Sequence, residues 1–185
     1  MRSVGFVVAS VALLLAAPAL ASDDESSSAP TVVRPFAGAF VPTGKQKDDL
    51  KTSLLTGVQV GYPIAGPARL VGSFAWAPSK TNTVSEIRTD VYQYDAGAEL
   101  AGHYGALRPF IGAGAGARTY SLKNSSQSQT DFDGYGSVGS ELAISHVGAR
   151  IEARDYVSRF KGLNGLDPSS TRNDLMLAGA LTFHL

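Results

Sequence analysis

The stretch GARIEARDY, Gly148 to Tyr156, carries charged residues at every second position: Arg150, Glu152 and Arg154. In extended chain that spacing sets all three on one face and Ala149, Ile151 and Ala153 on the other. The chemistry open to such a face is ion pairing, and the charges either meet bulk water or line an interior. Other candidates for chemistry are sparse. There are three histidines, His103, His146 and His184, and no cysteine, so thiolate metal sites, disulfides and lipidated cysteines are excluded. DFDG at 131–134 offers two acids, well short of the six to eight oxygens a calcium ion takes. GAGAGA at 112–117 lacks the G-x-G-x-x-G spacing of a phosphate loop and reads instead as a strand whose small side chains leave room for Arg118. Asn124-Ser125-Ser126 matches a glycosylation sequon to which no weight attaches. No metal or other cofactor is expected.

The elements that position these residues follow from composition and period. The 185 residues suffice for one domain. A net charge of zero with only 17% charged residues argues against a nucleic-acid partner, which needs a basic face. The start, MRSVGFVVASVALLLAAPALA, has a positive residue, an apolar run broken by Pro18 and an Ala19-Leu20-Ala21 exit, which together predict a cleavable signal peptide over 1–21 and export. SDDESSSAPT follows, acidic and serine-rich with nothing to bury, and predicts a flexible tail over 22–33.

From Arg34 onward helical spacing fails and alternation succeeds. Eight strands are predicted, at 34–42, 53–64, 68–79, 90–104, 108–122, 132–145, 147–160 and 173–185. At nine to fifteen residues they are long enough to cross a bilayer as barrel strands, where soluble strands run about five or six. Long polar connections (TGKQKDD, KTNTVSEIR, KNSSQSQTD, KGLNGLDPSSTR) alternate with short ones (AGP, GAL and a turn at His146), the layout of a membrane barrel with both termini at the short-turn end.

One face of each strand is apolar. Leu175, Leu177, Leu181 and Phe183 oppose Met176, Thr182 and His184, and Tyr92, Tyr94 and Leu100 oppose Gln93, Asp95 and Glu99. Val138, Leu142 and Ile144 oppose Tyr135 and Glu141, while both faces of the first strand are apolar and leave it ambiguous. An arginine facing lipid near the midplane costs about 2–4 kcal/mol, so Arg150 and Arg154 are expected to point inward. Asp95, Glu99, Arg118, Glu141 and Glu152 join them in a lumen ion-pair network that plugs an interior just wide enough for side chains. Trp76, Tyr92, Tyr94, Tyr120 and Tyr156 fall toward the long-loop ends, and Phe36, Tyr62, Tyr104, Phe110 and Phe183 toward the short-turn ends. Together they predict two interfacial girdles.

RPFAGAFVP in the first strand, RPFIGAGAGA in the fifth, VGARIEARDYVSRF in the seventh and the alternating end LMLAGALTFHL resemble small eight-stranded outer-membrane β-barrel proteins, such as the membrane domain of outer membrane protein A. The resemblance covers 34–185 and implies an all-β, eight-stranded antiparallel up-and-down transmembrane β-barrel in the bacterial outer membrane. It also implies a monomer surrounded by lipid and lipopolysaccharide and inserted by the barrel-assembly machinery. That machinery reads a terminal aromatic in the family; here the last residue is Leu185, with Phe183 two positions earlier. Some family members are lipid A-modifying enzymes with a histidine beside a serine or an acid at the outer rim. All three histidines here fall at the short-turn ends, so no such arrangement forms and a non-catalytic role in envelope structure or surface interaction is expected. Two other readings compete. One is a narrow solute channel; the other is a soluble lipocalin-like barrel turned inside out, with Trp76, Leu142, Ile151 and Leu177 lining a ligand pocket.

Overall fold

The computed structural model describes residues 30–43, 51–80, 88–122, 128–160 and 170–185. The expected signal peptide, residues 22–29 of the expected tail, Asn124 and the centres of the four long connections lie outside the described residues. Eight strands are present: β1 (Val32–Pro42), β2 (Ser53–Ala65), β3 (Ala68–Lys80), β4 (Arg88–Ala101), β5 (Leu107–Leu122), β6 (Ser128–Ile144), β7 (Val147–Phe160) and β8 (Ser170–His184).

They run two to four residues beyond the sequence expectation at several long-loop ends, because cross-strand pairing continues there. Ser121 still faces Ser128, and the hydroxyls of Thr119 and Thr130 share a hydrogen bond of 2.9 Å. β4 stops earlier than expected, at Ala101, where the chain bends into a tight turn. In that turn Tyr104 and Leu107 exchange backbone hydrogen bonds across Gly105, whose φ of 63° is a left-handed conformation that glycine adopts without strain.

Every strand pairs antiparallel with its sequence neighbour, and β1 closes on β8. The pairing line from Val32 runs through Gly61, Val71, Gly97, Gly114, Tyr135, Tyr156 and Asp174 and returns to β1 at Pro42, ten residues along. A stagger of ten over eight strands requires strongly tilted strands around an interior filled by side chains.

Alternation then decides what faces where. Ile151 is 69% exposed on the outer wall, while its neighbours Arg150 and Arg154 are 3% and 1% exposed within. Leu142, Leu177 and Trp76 are exposed on the same outer wall, which excludes the soluble inside-out barrel. β1 resolves in the same sense, with Arg34, Phe36 and Phe40 buried inside and Pro35 and Ala37 exposed outside.

The two girdles need correction. Tyr62, Tyr94, Tyr104, Trp76 and Phe183 are exposed, and Tyr92 lies on the outer face of β4. Tyr120 and Tyr156, however, are buried in the lumen, as are Phe36 and Phe110. The reason is the pleat: Tyr156 shares its face with Arg154, Tyr120 with Arg118 and Phe36 with Arg34.

Glycines make room for these large inward groups. A Cβ on Gly139 would stand 2.2 Å from the Ile151 carbonyl oxygen and 2.4 Å from Phe110 Cζ. Gly139→Val is therefore expected to destabilise the barrel by about 1–3 kcal/mol through overpacking. A lowered urea midpoint for folding in lipid vesicles would register it; an unchanged midpoint would mean that both the Phe110 ring and the β7 backbone at Ile151 give way without cost.

Candidate functional site

The lumen network has two halves joined at one carboxylate. Toward the short turns, Arg34 donates from Nη1 to Gln59 Oε1 at 2.8 Å and from Nη2 to Glu141 Oε2 at 3.2 Å, and it lies 3.5 Å from Glu99 Oε1. Arg150 Nη2 donates to Glu99 Oε2 at 2.6 Å and to Glu152 Oε2 at 3.1 Å. Its guanidinium carbon stands 3.3 Å from the centroid of the Phe110 ring, a cation–π contact. Thr182 Oγ1 donates to Glu141 Oε2 at 2.9 Å, and His184 Nε2 stands 3.4 Å from Glu141 Oε1.

Glu152 is the joint. Its Oε2 serves Arg150, while its Oε1 accepts from Arg154 Nε at 2.6 Å.

Toward the long loops, Arg154 Nη1 donates to Asp95 Oδ2 and to Ser73 Oγ, both at 2.9 Å. Tyr156 OH donates to the same Asp95 oxygen at 2.7 Å. Gln93 Nε2 reaches Asp95 Oδ1 at 2.6 Å and Asp133 Oδ2 at 2.9 Å. Arg118 donates from Nε to Gln93 Oε1 at 2.5 Å, pairs with Asp174, and lies between the rings of Phe40 and Tyr156 at 5.0 Å from each.

Every sequence-predicted charge, Asp95, Glu99, Arg118, Glu141, Arg150, Glu152 and Arg154, thus sits on the inner face within this set. Arg118 joins the others through Gln93, through Asp133 at 4.0 Å from its Nη2, and through the Tyr156 ring. Sequence reasoning missed Arg34, Gln59, Gln93, Asp133 and Asp174 as members. Asp174 shares the parity of Met176 and Thr182, and Asp133 that of Tyr135 and Glu141, so period two pointed to both. Arg34 lay in the strand whose faces the sequence left open. DFDG therefore supplies the lumen: Asp133 serves Gln93, and Asp131 Oδ1 accepts from Gln129 at 3.2 Å.

An isolated buried charge is expensive, and a set that satisfies itself is tolerated. Shared acceptors such as Asp95 Oδ2 and Glu152 make this a connected set, so removal of one member is felt by several. Chemically it holds side chains in place and occupies the bore.

His103 and His146 lie in short turns and His184 at the short-turn end of β8. Ser145 Oγ lies 3.0 Å from His146 Nδ1 on an exposed turn, a serine–histidine contact the sequence did not suggest. Among the described residues no carboxylate contacts His146, so the orienting third group of a nucleophilic triad is missing there. Burial, with the Arg108 and Arg69 guanidiniums nearby, holds His103 below the ordinary histidine range. Its imidazole is expected to titrate below the usual midpoint by NMR, and Arg108→Gln to move that midpoint upward. A group lowered on folding favours the folded state at neutral pH and loses that contribution as pH falls through its folded pKa.

The profile of the family described as Outer membrane protein beta-barrel domain matches residues 7–178. No curated protein sequence matches the chain. Among solved structures, Neisserial surface protein A is 14% identical, with a TM-score of 0.67 over 84% of this chain and 97% of that one. The outer membrane protein OprG of Pseudomonas aeruginosa is 16% identical, with a TM-score of 0.56 over 88% and 100%. The N-terminal β-barrel domain of OprF from the same organism is 14% identical, at 0.52 over 85% and 98%. At these identities the structures share the fold.

Proposed function

The chain belongs to the outer membrane protein β-barrel family, and from that premise we propose that it is a non-catalytic integral protein of the bacterial outer membrane, serving envelope structure or surface interaction through its long loops. The observation that carries this reading is the charged lumen. Four guanidiniums, of Arg34, Arg118, Arg150 and Arg154, are buried among carboxylates and amides that occupy the bore. A bore filled in this way is a polar core rather than a passage, and the exposed leucines and valines outside suit lipid. The three histidines gather at the short-turn end, away from the surface where outer-leaflet lipid would be processed.

In this reading residues 1–21 direct export and are removed, and the barrel-assembly machinery inserts the strands with the long loops outward among lipopolysaccharide. The test is expression of the full chain in a Gram-negative host, followed by fractionation and denaturing electrophoresis with and without boiling. The expected result is a band in the outer-membrane fraction whose mobility changes on boiling. A soluble periplasmic band with no such change would refute the proposal.

A further inference from the structure

We infer that the short-turn mouth of the barrel holds a site for a small phosphate-type oxyanion, formed by Arg69 and Arg108 with His103 at its rim. The charges within the barrel are unevenly shared along its axis. In the short-turn half, Arg34, Arg69, Arg108 and Arg150 face two carboxylates, Glu99 and Glu141, while Glu152 is divided between Arg150 and Arg154. In the long-loop half the sign reverses: Asp95, Asp131, Asp133 and Asp174 are buried with Arg118 and Arg154.

Register sharpens the point. Arg69 is the cross-strand partner of Glu99, and Arg108 that of Glu141. Both carboxylates are nonetheless turned to the deeper guanidiniums, Glu99 to Arg150 at 2.6 Å and Glu141 to Arg34 at 3.2 Å. Arg69 is 7% exposed, and Arg108 Nε is buried without a hydrogen-bond partner. Each of these guanidiniums, beside a carboxylate committed elsewhere, carries the planar fork of donors that takes up phosphate oxygens in pairs. Burial first, and then the Arg108 and Arg69 guanidiniums, hold His103 below the ordinary histidine range at this mouth. An anion drawn to this mouth meets the acidic half beyond it, so the arrangement retains an oxyanion without passing it through.

The same phosphate chemistry is offered by free phosphate and by the headgroup of an anionic lipid, and the test separates them. The full chain, with arginine side chains labelled with nitrogen-15, is folded in lauryldimethylamine oxide micelles and titrated with inorganic phosphate at constant ionic strength. Saturable movement of the Arg69 and Arg108 Nε–Hε signals, with Arg118 still, is expected. R69Q/R108Q is expected to weaken phosphate binding in calorimetry by about tenfold or more, the loss of two charge-assisted contacts.

Movement with phosphate in these micelles identifies a soluble anion; movement only when phosphatidylglycerol is added identifies a headgroup. Either supports the site. No saturable movement with either probe, equal movement with chloride, or phosphate affinity unchanged in the variant overturns it. R69Q/R108Q must keep its mobility change on boiling; should it not fold, Arg108→Gln alone, at a half-buried position, replaces it with the same criterion.

Discussion

Arg154→Met is expected to lower the folding free energy in lipid vesicles by about 3–5 kcal/mol, the range for removing one partner from a buried ion-pair set. The side chain is 1% exposed, and the substitution takes from Glu152 Oε1 its donor at 2.6 Å and from Asp95 Oδ2 one donor at 2.9 Å, leaving that oxygen Tyr156 and Ser73. Methionine fills much of the volume but donates nothing, and the Tyr135 ring loses the cation whose guanidinium carbon is 4.9 Å from its centroid. Adding Glu152→Gln and Asp95→Asn should recover part of the loss, because the penalty comes from the stranded carboxylates rather than from the absent arginine. Urea titrations read by Trp76, the single tryptophan, provide the measurement. Equal stability of Arg154→Met and the native chain would mean that water, not the arginine, satisfies these acids.

Val58→Arg is expected to cost about 2–4 kcal/mol, the range for a cation placed on the lipid face near the midplane. Val58 stands midway along β2 on the outer wall, opposite Pro35 and Phe74 on the flanking strands. Val58→Leu on the same wall should be nearly neutral. The contrast with Arg150 and Arg154, which stabilise from the inner wall, makes facing rather than residue type the variable. An arginine tolerated at Val58 in vesicles would place that wall in water.

The fold was legible because period two is a local property. Once Arg150, Glu152 and Arg154 shared a face, the hydrocarbon outside dictated which face it was. The errors came from letting residue type overrule parity. Tyr156 and Tyr120 were read as interfacial anchors because tyrosine suits a membrane boundary, yet each lies two residues from a lumen arginine and must point with it. Tyr156 instead donates to Asp95, and Tyr120 is buried beside the same bore. What parity does not encode is which charges meet. Asp95 reaches Arg154 across 59 residues and Glu141 reaches Arg34 across 107, pairings set by a stagger that emerges only on closure. Likewise, nothing local indicates that Glu99 and Glu141 turn from their register partners Arg69 and Arg108 toward Arg150 and Arg34.

If the charged bore is a plug, the barrel passes no current, and conductance in planar bilayers measures this. The refolded full chain, verified by its mobility change on boiling, is added to a bilayer in potassium chloride under an applied voltage. The membrane is expected to stay electrically silent with the native chain and to admit brief, irregular current once Arg154→Met loosens the network. Long-lived, uniform conductance steps from the native chain would contradict it and establish a continuous water path past Glu152.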